Sequence, residues 1–310
     1  MPLFVIFTPL LCGCGRDSTP PRAAGPLKIV ATTGMIADAV RQIGGAFVEV
    51  DCLMGPGIDP HRFSPSAGDL HRLGRAQMIF YNGLHLEGKM TDILEEGSRN
   101  RRVKAIAVTS RLDPMKDLRS TEGADGTHDP HVWFNVRLWM KCVEVVCEEL
   151  VAADPAHATD FQANATKYLA ELAKLDEEVK AKANTLPAKK RVLVTSHDAF
   201  GYFGAEYGFE VHGLQGVSTA AETTTKDVQD LAKLLGERRI PAVFGETSVP
   251  PKGLQAVLDS VREKYNLEVK LIGGDHSLYS DALGVTGSPG ESYIGMVRHN
   301  ITVIVDALGK

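Results

Sequence analysis

The chain predicts an α/β protein of two lobes, each a mostly parallel sheet with flanking helices, joined by one long backbone helix. Three observations carry that expectation. Short β-branched runs alternate with helical patterns in both halves, as in crossover-connected parallel sheets. The run Arg191 to Ser196 is largely apolar without alternation, as strands buried on both faces are. A helical pattern of unusual length, Asp154 to Thr185, separates the halves.

In the long helix, Asp154 suits an N-cap and Pro155 the first helical position. Phe161, Ala165, Tyr168, Leu172, Leu175 and Val179 then recur at steps of three and four, which is one apolar stripe. Glu171, Lys174, Glu177, Glu178 and Lys182 fill the opposite side, and Pro187 ends the pattern. At 1.5 Å per residue such a helix spans roughly 45 Å. It reads as a spine between lobes with a site between them; one domain containing an ordinary long helix is the alternative. The expected divisions are a signal and tether at 1–26, an N-terminal lobe at 27–153, the linking helix at 154–186 and a C-terminal lobe at 187–310.

In the first lobe, strands are expected at Leu27 to Ala31, Phe47 to Leu53, Met78 to Tyr81 and Val103 to Val108. Helices are expected at Gly34 to Ile43, Ser66 to Arg75 and Glu87 to Glu96, with Ser66 as a cap. A polar loop, Arg111 to Asp129, precedes a helix at Asn135 to Ala153. After Pro187 the strands are Arg191 to Ser196, Glu210 to Leu214, Ala242 to Glu246 and Val269 to Ile272. The helices are Ala199 to Tyr207, Thr225 to Arg238, Gly253 to Lys264 and Ser292 to Leu308. No strong internal sequence repeat is visible, but the triplet Asp-Pro-His occurs at 59–61 and again at 129–131.

A length of 310 residues accommodates two domains or one large one. A net charge of −5 and the lack of a basic run argue against nucleic acid as a partner. Leu3 to Leu11 has the length of a signal-peptide apolar region and is too short to span a bilayer. It ends in Leu11-Cys12-Gly13-Cys14, which resembles a lipoprotein processing site with Cys14 as the lipidated residue. Gly15 to Gly25, rich in Pro, Ser, Arg and Ala, reads as a tether, so the protein is expected to be anchored to a membrane rather than to cross it. Beyond the signal, Cys52, Cys142 and Cys147 are an odd number, which excludes a full disulfide framework. Cys142 and Cys147 point about 140° apart on a helix and read as small packing residues.

Four residues stand out by their setting. His61 lies in a Gly/Pro loop after a strand, His131 in a polar loop before a helix, and His197 at the carboxyl end of an apolar strand. Asp281 lies in the loop after the last strand. Ligands of open α/β sheets bind outside the carboxyl ends of strands, and three imidazoles with a carboxylate suit a first-row divalent cation. Of the 10 histidines, His71, His85, His157, His212, His276 and His299 lack a comparable setting. The spacings match no short metal motif such as His-Glu-x-x-His. On spacing alone His61, His197 and Asp281 are therefore more readily packing or surface residues than metal ligands.

The segments carrying these residues resemble a known family. Thr195-Ser196-His197-Asp198-Ala199-Phe200-Gly201-Tyr202-Phe203 is similar to the signature of the zinc- and manganese-binding solute receptors of ABC transporters, the cluster A-I or cluster 9 family, and its TroA-like branch in particular. Gly208 to Thr219, Gly55 to His61, Asp129 to Phe134, Leu278 to Gly284 and Tyr293 to Asn300 extend the resemblance over essentially Leu27 to Leu308. It implies His61, His131, His197 and Asp281 as metal ligands, Zn2+ or Mn2+ as the transported ion, and permease and ATPase subunits as partners. It also implies a monomer outside the cytoplasm. The manganese-dedicated branch usually has Glu where His197 stands, and the zinc-dedicated branch often has a long His-rich loop; here the loop at 111–129 holds only His128. The chain thus resembles the mixed zinc/manganese branch. Glu246, after a strand, is a candidate acceptor for an imidazole N–H or a cap for the helix after Pro250, and His128 a transient metal contact or a solvated loop residue.

Three functions compete. A receptor captures a free ion and hands it on without chemistry. A metallohydrolase would use the same cluster with an open position for water, with Asp198 as the one tempting base. A surface adhesion lipoprotein, a label given to some relatives, is the third.

Overall fold

The computed structural model describes residues 25–99, 103–121 and 127–309. Cys14 and most of the tether lie outside the described residues. The first half holds β1 (Leu27–Ala31), α1 (Gly34–Gly44), β2 (Val48–Cys52), α2 (Ala67–Arg75), β3 (Met78–Tyr81), α3 (Thr91–Arg99) and β4 (Lys104–Ala107). Next come α4 (Val136–Ala153) and the spine, α5 (Ala158–Asn184). The second half holds β5 (Val192–His197), α6 (Gly201–Tyr207), β6 (Glu210–Gln215), α7 (Thr225–Arg238), β7 (Ala242–Phe244), α8 (Lys252–Tyr265), β8 (Lys270–Ile272) and α9 (Tyr293–Leu308).

Both sheets are wholly parallel, in the orders β2-β1-β3-β4 and β6-β5-β7-β8. The two orders are the same topology, so the fold repeats although the residues do not. The local signals work as the residues dictate. Ser66 accepts from Asp69 N–H while Asp69 accepts from Ser66 N–H, a complete capping box, and Thr224 with Asp227 forms another. Asn135 caps α4 through the N–H groups of Arg137 and Leu138.

The spine starts later than its sequence suggests. Residues 155–157 form a tight 3₁₀ turn, and the α-helix runs for 27 residues from Ala158. The turn is held through His157, whose Nδ1 lies 2.6 Å from Asp154 Oδ2 and whose ring stacks on Phe47 with centroids 3.9 Å apart. The predicted stripe is otherwise as expected, with Phe161, Ala165, Tyr168, Leu172, Leu175 and Val179 all buried. Asp176 is buried among them because three donors reach it: Arg137 Nε at 2.8 Å, Lys180 Nζ at 2.7 Å and the Tyr207 hydroxyl at 3.1 Å.

The stripe belongs to one core that runs through both halves. Ile29 and Phe80 of the first sheet, Phe161 and Leu172 of the spine, and Leu193 and Phe244 of the second sheet share it. The last helix, α9, also packs on α1 and α5. Asp38 on α1 accepts the Tyr293 N–H at 3.0 Å, and the Tyr293 hydroxyl donates to the Trp133 carbonyl at 2.7 Å. Smaller cores fill the outer sides of each sheet. Among the described residues no helix is long and apolar enough to cross a membrane, and Cys52, Cys142 and Cys147 are free.

Leu172 is fully buried at mid-spine. Its change to Ala should cost about 2–5 kcal/mol in chemical denaturation. Glu171→Ala, on the exposed side, should stay within about 0.5 kcal/mol. Equal losses would mean that the stripe does not carry the packing.

Candidate metal centre

The four singled-out residues meet at the carboxyl ends of the two sheets. His61 sits in the loop between β2 and α2, and Asp59 Oδ1 accepts its backbone N–H at 2.9 Å. His131 precedes a short 3₁₀ turn, and Asp129 Oδ1 accepts its backbone N–H, also at 2.9 Å. The repeated Asp-Pro-His triplet therefore makes the same local bond twice. Gly88, at φ +48°, passes behind His61; a Cβ there would lie 2.7 Å from the His61 carbonyl oxygen. His197 ends β5, and Glu246 Oε1 accepts its N–H at 2.9 Å. Asp281 is set by its neighbour: Trp133 Nε1 donates to the Ser280 carbonyl at 3.0 Å, and the Ser280 and Ser248 hydroxyls lie 2.8 Å apart.

All four side chains are buried and each offers one atom to a cluster no wider than 4.8 Å. His61 Nε2 lies 3.2 Å from His131 Nε2. Asp281 Oδ1 lies 3.4 Å from His131 Nε2, and Oδ2 lies 3.2 Å from His197 Nε2 and 3.8 Å from His61 Nε2. A tetrahedral ion with bonds of about 2.05 Å separates its ligands by roughly 3.3 Å. The observed spacings bracket that value. His197 Nε2 and both Asp281 oxygens are buried without a well-aligned hydrogen bond, despite their closeness. Buried polar atoms are ordinarily satisfied, and three orphans facing one point fit a shared cation.

The other imidazole nitrogens are held by carboxylates. Asp129 Oδ1 is 2.8 Å from His131 Nδ1, and Glu246 Oε2 is 2.5 Å from His197 Nδ1. Burial opposes charge on His131, but its contacts with the Asp129 and Asp281 carboxylates outweigh it and lift its pKa to about 9. Burial likewise opposes charge on His197, and the carboxylates of Glu246 and Asp281 hold it well above the usual range. Burial works against ionised Asp281, yet the His197 charge and its imidazole contacts hold it well below the usual carboxylate range. His61 faces Asp281 only at the longer distance; burial and the charges on its two neighbours pull it down to about 3.

All four predicted residues are thus brought together, and Glu246 lies against His197 as one reading of it required. The remaining histidines are exposed or half-buried. Asp129 went unremarked in the sequence as an imidazole partner, although its place in the repeated triplet was the available signal. Asp198 and His128 are outside the cluster and line a neighbouring cavity.

Residues 29–307 match the family described as zinc-uptake complex component A, periplasmic (ZnuA). The chain belongs to this family. It is 45% identical over 306 residues to the manganese-binding lipoprotein MntA of Bacillus subtilis, covering 99% of this chain and 97% of that one. It is 46% identical over 288 residues to the zinc-binding protein TroA of Treponema pallidum, covering 93% of this chain and 91% of that protein. The solved structure of the periplasmic zinc-binding protein TroA from Treponema pallidum superposes with a TM-score of 0.87, covering 92% of this chain and 99% of that one. The architecture of two parallel sheets with flanking helices and one long helix, inferred from sequence, is therefore the fold of this chain.

The shifted imidazoles give the metal-free protein a signed pH dependence. His131 has a folded pKa raised from 6.5 to about 9, so its stabilisation is present below pH ~6.5 and lost as pH rises through about 9. His197 acts in the same direction. His61, lowered to about 3, stabilises above pH ~6.5 and less as pH falls toward 3. Thermal melting of chelator-treated protein should therefore decline from pH ~6.5 to ~9. Asp129→Asn should move that limb to lower pH. A flat profile would mean that His131 and His197 are neutral before metal binds.

Proposed function

We propose that this chain is an extracytoplasmic receptor that captures zinc or manganese with His61, His131, His197 and Asp281. It delivers the ion to the permease and ATPase of an ABC transporter. The observation that carries this reading is the buried cluster whose spacings fit one tetrahedral ion and whose orphaned atoms face each other. The names of the relatives agree with it. In this reading Asp129 and Glu246 hold the Nδ1–H groups of His131 and His197, so that each Nε2 lone pair is turned toward the ion. The protein acts as a monomer, held to the membrane by Cys14 through the tether.

A closed set of four protein donors favours capture over hydrolysis, which needs a position left for water. Asp198, the candidate base, lines the cavity outside the cluster. The receptor is therefore not an enzyme, and nothing at the site speaks for adhesion.

Three imidazoles favour zinc over manganese in the usual order of divalent affinities. Metal must also displace the protons of His131 and His197, so affinity should rise with pH toward about 9. Calorimetric titration at several pH values should show zinc tighter than manganese throughout. Glu246→Gln should weaken zinc about 10–100-fold, and His197→Ala more than that. Unchanged zinc affinity in His197→Ala would remove the ligand set.

A further inference from the structure

Of the four cluster residues, His61 alone lines the cavity of about 1310 Å³ beside the site. It is also 6% exposed, while His131 and His197 are fully buried. An ion leaving the cluster toward this cavity passes His61, which sits on a loop, whereas His197 ends a strand.

One wall of the cavity is an arm, residues 216–224, between β6 and α7; Gly216, Val217, Ser218 and Ala221 line it. The arm is fixed at its base to the backbone that follows His197. Asp198 N–H donates to the carbonyls of Gln215 at 3.1 Å and Gly216 at 3.4 Å. A Cβ at Gly213 would fall 2.3 Å from Asp198 N, so the strand presses directly on that backbone. Farther along the arm, Thr219 is 2% exposed, and its hydroxyl donates to Asp59 Oδ2 at 2.6 Å. The other oxygen of the same carboxylate accepts the His61 N–H. One carboxylate thus ties the segment carrying His61 to an arm 160 residues away that is rooted beside His197.

We infer that Thr219 and Asp59 form a latch across the mouth of the site, and that this latch sets how fast the ion leaves. The inference rests on the cluster being the metal site. A hydrogen bond to a carboxylate is short and strong, and here its Thr219 end is buried and its Asp59 end half-buried, so opening the mouth past His61 requires breaking it. The cluster itself does not use the Thr219 hydroxyl, so the identity of the bound ion does not depend on it. Thr219 is a positioning residue, acting on His61 through Asp59.

The test loads wild type, Thr219→Val and Thr219→Ser with zinc and follows release into excess chelator by stopped flow. Thr219→Val keeps the shape without the hydroxyl and should release zinc about tenfold faster, the rate equivalent of one lost hydrogen bond to a charged group. Thr219→Ser should release like wild type, and all three should bind the same amount of zinc and melt alike when zinc-free. Release from Thr219→Val at the wild-type rate overturns the latch, as does equally fast release from Thr219→Ser. Acceleration accompanied by a general loss of zinc-free stability also overturns it. Wild-type protein that holds no zinc overturns the metal-binding reading itself, a different failure.

Discussion

The Asp281 carboxylate is buried with neither oxygen in an aligned hydrogen bond. A buried charge left uncompensated is among the costliest features a fold can carry. Its compensation must come from the three imidazoles and from whatever cation they share with it. That requirement explains the carboxylates behind His131 and His197, which favour charge on those rings and fix their direction. It also explains why His61, with no such carboxylate at its ring, stays neutral. The site is a small buried charge network that only His61 opens to the neighbouring cavity, and under the proposed function a divalent ion completes it.

Such a network works only if its members stay in place. They come from loops and strand ends in both halves of the chain, so the halves must be held in one register. The continuous core through the spine does this, helped by α9 returning to α1 and by the bonds at Asp38, Asp176 and Trp133. A packed helix with a core on both sides resists hinge closure. Under the proposed function, motion for uptake and release would then fall to local segments at the mouth rather than to the lobes.

Much of this was legible in the sequence because the signals were local. The spine stripe from Phe161 to Val179 is a periodicity, the cap at Ser66 is a single residue, and the apolar β5 run stands out by its composition. The four cluster residues were picked out by their settings and joined into one site by family resemblance; spacing alone left them ambiguous. The unread features are long-range. The matching strand orders need no matching residues, only matching connections. The pairing of Asp59 with Thr219 depends on how two loops meet, and the late start of the spine depends on Phe47 stacking on His157.

The central claim is that three imidazoles and one carboxylate enclose a single ion with no open position. X-ray absorption at the zinc edge of the loaded protein tests it most directly. The account predicts four nitrogen or oxygen neighbours at about 2.0 Å, three of them with imidazole scattering, and no sulfur. A first shell with fewer than three imidazoles, or with a water oxygen in the place of Asp281, would contradict it.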